Sequence, residues 1–221
     1  MLVSLSFEES VSQDVAIMVD VLRASTTITV ALDNFNEIIA VKDKNKAIRL
    51  AKTHNATLAG EREGAKILGF ETGNSPVEIK NFNGNTLVLT TSNGTRILEG
   101  MRAKSLVGSF VNARAVAKTA SKIADDHIEI VMAGVRGRFA IEDFLGAGEI
   151  ISNLKNFELD EMAQAAYLAS RDDEMVSEAV KNSLSARGLK KLGFVNDIDF
   201  CIKKDIYNVV PFYEGGIIKK L

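Results

Sequence analysis

Val15-Ala16-Ile17-Met18-Val19-Asp20-Val21-Leu22-Arg23-Ala24-Ser25-Thr26-Thr27 runs an unbroken apolar segment into an aspartate, an arginine and three consecutive hydroxyl residues. A short apolar run that ends at a polar residue reads as a strand buried on both faces, the kind found in parallel sheets. Helical periodicity follows over residues 24–34. Strand, polar tip and helix in that order form the unit of a layered α/β fold.

The same order returns three times. Residues 86–90 lead into Thr90-Thr91-Ser92-Asn93-Gly94-Thr95-Arg96, residues 105–108 into Gly108-Ser109-Phe110-Val111-Asn112-Ala113-Arg114, and residues 128–133 into Ala133-Gly134-Val135-Arg136-Gly137-Arg138. A further strand-like run covers 37–41, and helical patterns cover 43–54, 94–102, 112–125 and 141–155. The expected fold is therefore layered α/β/α with a mostly parallel, mixed sheet and a helical C-terminal segment. Ligands of such sheets bind at the carboxyl edge of the strands. Arg23, Arg96, Arg114, Arg136 and Arg138 would meet there beside hydroxyls and helix N-termini, which calls for an anion.

Composition narrows the classes. The 221 residues are 46% hydrophobic, enough for a sizeable core, and carry a formal net charge of -2. No overall basic field draws the chain to nucleic acid or to a membrane surface, so anion recognition must be local. The single cysteine, Cys201, allows no intramolecular disulfide, and His54 and His127 lack metal-site spacing. The start, Met1-Leu2-Val3-Ser4-Leu5-Ser6-Phe7, lacks the basic and long apolar stretches of a signal peptide. No apolar run approaches a membrane span. A cytoplasmic location is expected.

Two spans differ in character. Residues 1–157 form the α/β sheet region bearing the anion and metal site. Residues 158–221 read as a helical segment plus edge strands, packed on the same domain. Within it, 158–192 shows no strand-like run and breaks near Arg171-Asp172-Asp173, Gly188 and Gly193. The end carries one or two strands around Gly215-Gly216, where Pro211 suits a sheet edge. Cys201 falls in the apolar pattern of Phe194, Ile198, Phe200 and Ile202 and reads as a buried thiol.

The tips carry the chemistry. Asp20 could hold a divalent cation bridging to an anion, Arg23 could grip that anion bidentately, and Ser25, Thr26 and Thr27 open a helix toward it. A plain N-cap would need only one hydroxyl. Glu61 is a second metal carboxylate and Arg62 a further anion contact, against the alternative of a charged surface turn. Ser75-Pro76 has the form of an ordinary helix start, with Asn74 before it. Glu142 and Asp143 open the helix after the last tip, where macrodipole stabilisation of about 0.3–1 kcal/mol each is the simpler explanation. Gly146 and Gly148 inside that helix imply close helix–strand packing, since each costs roughly 1 kcal/mol relative to alanine. No Walker A or dinucleotide fingerprint occurs.

At these residues the chain resembles the 2-phosphosulfolactate phosphatase family. The matching stretches are 19–27, 60–62 through Gly73-Asn74-Ser75-Pro76, 90–96, 108–110, and 133–134 through Glu142-Asp143, with a looser tail over 188–211. Family members often carry a cysteine where this chain has Gly146, so that thiol has no role here. The resemblance implies a layered α/β, magnesium-dependent phosphatase that removes phosphate from 2-phospho-3-sulfolactate, a step toward coenzyme M. It also raises Asn74 and Ser75 to site residues.

Catalytic roles then fall on Asp20, Arg23, Glu61 and Asp143, and Mg²⁺ on Asp20, Glu61 and Asp143 or Glu142. Ser25, Thr26, Thr27, Arg62, Asn74, Ser75, Asn93, Gly94, Thr95, Arg96, Arg136 and Arg138 would bind the phosphate, sulfonate and carboxylate of a small anionic phosphomonoester. The alternatives are a phosphatase for another such monoester and a non-catalytic sulfonate- or organophosphate-binding protein. The helices of 158–192 are expected to serve as a lid or as the contact of a homodimer.

Overall fold

The structure, a computed structural model, describes residues 1–154 and 157–221. Lys155, the last residue of the helix expected over 141–155, lies outside the described residues. The elements are β1 (Leu2–Phe7), β2 (Val15–Val19), α1 (Ala24–Ala31), β3 (Phe35–Ala40), α2 (Lys44–His54), β4 (Thr57–Arg62), β5 (Ala65–Lys66), β6 (Gly84–Thr90) and α3 (Gly94–Gly100). They continue with β7 (Lys104–Gly108), α4 (Ala113–Ile123), β8 (His127–Met132), α5 (Ile141–Ser152), β9 (Glu158–Leu159), α6 (Glu161–Ala169) and α7 (Asp173–Lys181). The chain ends with α8 (Leu184–Lys191), α9 (Val195–Cys201), β10 (Pro211–Glu214) and β11 (Ile217–Lys220).

The strands form one mixed sheet in the order β5-β4-β6-β3-β11-β10-β7-β2-β8-β1-β9. β2 pairs in parallel with β7 and β8, as its continuous apolar run requires. Its side chains alternate between two cores. Val15, Ile17 and Val19 face a cluster shared with α4, α5 and α6, whereas Ala16 and Met18 face one shared with α1 and α3. Helices thus cover both faces of the sheet. Residues from either side of position 157 share the first cluster, Val15 with Val180, Cys201 and Val210.

α1 contains five consecutive β-branched residues, Thr26 to Val30, a composition that favours strands. Burial overrides the propensity, since every residue of this helix is buried. Thr29 returns its hydroxyl to the Ser25 carbonyl at 2.9 Å, so the polar group is satisfied within the helix.

Three expectations are corrected. The C-terminal strands are not at an edge. β10 and β11 form a hairpin in the middle of the sheet, antiparallel to β7 on one side and to β3 on the other. Pro211 is tolerated there as the first residue of its strand, where its missing N–H breaks no interior ladder. Gly188 does not break a helix but lies within α8; the break comes at Ser183, whose hydroxyl caps that helix by accepting from Ala186 N–H at 3.1 Å. The span after 157 is also not free of strands, because β9 pairs with β1.

Gly146 and Gly148 do mark close packing. A Cβ on Gly146 would stand 2.5 Å from Val21 Cγ2, on the loop after β2. One on Gly148 would stand 2.2 Å from the Ala166 carbonyl oxygen, so here the close neighbour is helix α6 and not a strand.

Candidate active site

The β2 tip is tied from within. Asp20 N–H donates to Ser25 Oγ at 2.7 Å, and the Asp20 carbonyl accepts from Ser25 N–H at 2.9 Å. Asp20 Oδ1 accepts from Ala24 N–H at 3.2 Å. This fixes the carboxylate at the end of β2, on the floor of a cavity of about 980 Å³. Gly94 of the β6 tip comes against it: an added Cβ would lie 2.7 Å from Ala24 Cβ and 3.1 Å from Asp20 Oδ2. Only glycine lets the two tips approach this closely.

Two more carboxylates reach the floor. β4 continues through Glu61 and Arg62, so strand alternation, not a turn, aims Glu61. Its Oε1 accepts from Ser92 N–H at 2.6 Å and its Oε2 from Gly64 N–H at 2.8 Å. Glu142, in the first turn of α5, lines the cavity at 2% exposure, and among the described residues no hydrogen bond reaches its carboxylate. Asp143 points elsewhere. Its Oδ1 takes Val21 N–H at 2.8 Å and its Oδ2 takes Gly134 N–H at 3.0 Å. It thereby staples the β2 tip to the β8 tip and is not among the residues lining the cavity.

The charges on the floor crowd one another. Burial, opposed by the Ala24 amide and reinforced by repulsion from Glu61 and Glu142, pushes Asp20 up to about 7. Burial, with repulsion from Asp20 and Glu142, also holds Asp143 well above the ordinary carboxylate range. A cation or a shared proton relieves such a cluster. Among the described residues no group of three or more His, Cys, Asp or Glu stands ready to hold a metal ion. Asp20 and Glu142 remain as two cavity carboxylates with spare acceptor capacity. That suits Mg²⁺, which needs only one or two carboxylates alongside water and phosphate oxygens.

The arginines divide into three groups. Arg23 borders the cavity, but its guanidinium is committed. Nη1 meets Asp197 Oδ2 at 2.6 Å, Nη2 donates to the Gly64 carbonyl at 2.5 Å, and the ring of Phe194 lies 4.5 Å from Cζ. Arg96 pairs with Glu8 and Arg114 with Asp205, both away from the cavity lining. The β7 tip is turned to the C-terminal tail, where Asp205 N–H and Tyr207 N–H bond the carbonyls of Phe110 and Val111. Arg62, Arg136 and Arg138 do reach the cavity. Arg62 donates to the carbonyls of Glu61 and Lys42 and to Thr90 Oγ1, and Arg136 pairs with Glu63 at 2.5 Å.

The hydroxyls expected to cradle an anion are spent inside the protein. Ser25, Thr26 and Thr27 are fully buried. Thr26 Oγ1 donates to the Val21 carbonyl at 3.2 Å and Thr27 Oγ1 to the Asn74 carbonyl at 3.1 Å. Thr95 is likewise buried and bonds the Thr91 carbonyl at 2.9 Å. Ser75 donates to Asp197 Oδ1 at 2.6 Å and caps the following turn through Glu78 N–H. These residues hold the tips in place through bonds within the protein. Asn74 and Asn93 do line the cavity, and Asn74 Oδ1 is buried without a hydrogen-bond partner among the described residues.

The span 158–192, expected as a lid or a dimer contact, supplies a wall of the cavity, whereas Asp197 was not singled out in the amino-acid pattern. The far wall of the cavity comes from α7, α8 and the turn between them, including Ser183, Leu184 and Arg187. Asp197 of α9 anchors both Arg23 and Ser75. In sequence, no local signal singles out Asp197 or Arg187.

Comparisons with known proteins agree over the whole chain. A family model described as 2-phosphosulpholactate phosphatase matches residues 2–216. The chain is 49% identical over 219 residues to the 2-phosphosulfolactate phosphatase of Methanothermobacter thermautotrophicus, covering 99% of this chain and 95% of that protein. It is 40% identical over 207 residues to a probable 2-phosphosulfolactate phosphatase of Thermotoga maritima, covering 91% and 90%. With the 2-phosphosulfolactate phosphatase of Methanocaldococcus jannaschii it shares 38% over 218 residues, covering 94% and 92%.

Proposed function

The chain belongs to the 2-phosphosulfolactate phosphatase family, and on that premise we propose that it hydrolyses the phosphate monoester of 2-phospho-3-sulfolactate with the help of Mg²⁺. The observation that carries this reading is the meeting of Asp20, Glu61 and Glu142 on one cavity floor beneath Arg62, Arg136 and Arg138. The route it would serve leads toward coenzyme M, and the compartment is the cytoplasm. No described helix is long and apolar enough to cross a membrane. A homodimer completes the proposal, and light scattering reads it.

Asp20 and Glu142 are the residues proposed to hold Mg²⁺, with Glu61 behind them. When bound, the ion would neutralise phosphoryl charge as a Lewis acid. Arg62, locked by three hydrogen bonds, presents a preorganised cation to the phosphoryl oxygens. Asn74 and Asn93 add neutral polar contacts. Phosphoryl transfer needs mainly positioning and charge stabilisation, which these groups supply. The attacking oxygen is that of water, or of Asp20, whose acyl phosphate water then cleaves. In either case the phosphorus–ester oxygen bond breaks, and the leaving alkoxide takes a proton.

Phosphate release measured over a panel of phosphomonoesters, with and without Mg²⁺, tests the reading. Release that is fastest with 2-phosphosulfolactate and dependent on Mg²⁺ is expected. Release only from other monoesters would remove the substrate assignment, and no release at all would remove the enzyme.

A further inference from the structure

Resting on that reading, we propose that Arg187 of α8, together with Arg138 of the β8 tip, forms a specificity subsite for the second anionic group of the substrate, its sulfonate or carboxylate. Five arginines border the cavity: Arg23, Arg62, Arg136, Arg138 and Arg187. Arg23 is spent on Asp197 and Gly64 and Arg136 on Glu63, while Arg62, held by two carbonyls and a threonine, is already assigned to the phosphoryl group. Among the described residues, no ion pair or side-chain hydrogen bond engages the guanidinium of Arg138 or Arg187. Both side chains are exposed at the cavity rather than buried in a brace.

The charge layout is polar from floor to wall. The floor carries Asp20, Glu61 and Glu142, where a cation-assisted phosphoryl group fits and a bare sulfonate would be repelled. The two unengaged guanidinium groups therefore suit an anion held apart from the phosphoryl group. A planar five-donor fork suits a carboxylate or sulfonate bidentately. Arg187 stands in the helical C-terminal segment, whereas Arg138 belongs to the sheet region. A dianionic tail would thus be gripped by both parts of the chain, and a monoester lacking that tail would leave the two arginines solvated.

Steady-state kinetics of the full-length protein decide the matter with a pair of substrates, 2-phosphosulfolactate and glycerol 2-phosphate, whose tail is uncharged. In Arg187→Ala the ratio of their kcat/KM values should fall about tenfold to a hundredfold, the usual range for a lost charge-assisted hydrogen bond. Most of the fall should lie in KM for the sulfonated substrate, and Arg187→Lys should recover part of it. A ratio that stays within about twofold, or equal losses on both substrates, would overturn the subsite. Calorimetric binding of sulfolactate, the dephosphorylated product, gives a readout independent of turnover. The parent should bind it and Arg187→Ala should bind it at least about tenfold more weakly. Absence of turnover with intact, Arg187-dependent sulfolactate binding would defeat the phosphatase reading but not the subsite. Equal binding by parent and variant, or no binding by the parent, would defeat the subsite alone.

Discussion

Asp20→Asn should make the metal-free protein more stable while abolishing its activity. The ordinary aspartate value of 3.8 rises to about 7 here, chiefly because the carboxylate is buried. Such a group holds its proton longer in the folded chain than in the unfolded one. Stability is therefore lost as pH rises from about 4 to about 7, and the full penalty is present above that window. At about 1.36 kcal/mol per pH unit the penalty approaches 4 kcal/mol. The buried amide of asparagine returns part of it, since a polar group still leaves water at a cost of about 1–3 kcal/mol. A net gain of about 1–3 kcal/mol remains, or roughly 2–12 °C for a chain of this size. Thermal unfolding in EDTA at pH 8.5 reads the gain. At pH 5 it should disappear, because the parent carboxyl is then mostly protonated in the folded state and the remaining penalty of about 1–2 kcal/mol is no larger than the cost of burying the amide. Phosphate release from the proposed substrate with Mg²⁺ should fall at least about 100-fold, the scale of losing one transition-state contact. A variant that melts below the parent at pH 8.5, or a difference that ignores pH, would refute the account of a strained acidic floor.

Arg23→Met removes the buried partner of Asp197 and should cost about 3–5 kcal/mol, seen as a lowered denaturation midpoint; a loss of turnover at full stability would instead restore Arg23 to direct ligand contact. Gly148→Ala forces a methyl toward the Ala166 carbonyl, 2.2 Å away, and should destabilise by about 1–3 kcal/mol in urea titration. Glu142→Gln should raise the urea midpoint of the metal-free protein, since it relieves repulsion on Asp20 and breaks no hydrogen bond among the described residues, yet raise the Mg²⁺ concentration needed for half-maximal phosphate release by about tenfold or more. Thr27→Val should cost about 1 kcal/mol of stability through its bond to the Asn74 carbonyl, and a selective rise in KM for phosphomonoesters would return Thr27 to the binding site.

The local parts of the fold were legible and the non-local parts were not. β2 and the start of α1 fall where the apolar run and the hydroxyls placed them, because burial and periodicity are written in neighbouring residues. The position of the hairpin depends on pairing with β3 and β7, more than 100 residues away in each case, and no local pattern encodes it. Among site residues, Asp20, Glu61 and Glu142 converge as their places at strand ends and a helix start suggested. The internal partners of the hydroxyls were not legible, because Ser25, Thr26 and Thr27 would look the same whether they bind a ligand or a carbonyl. Counting arginines could not show which of them reach the cavity, because Arg96 and Arg114 have carboxylate partners, Glu8 and Asp205, that are remote in the chain. Arg187 had no motif to announce it.

The central hairpin makes the last residues of the chain the first requirement for a continuous sheet. Until residues 211–220 leave the ribosome, β3 and β7 each present an open row of amides and carbonyls, and the two half-sheets have nothing between them. Open edges of that kind recruit strands from other chains. A molecule without residues 211–220 would thus leave β3 and β7 as two unpaired edges, open to strands of other chains.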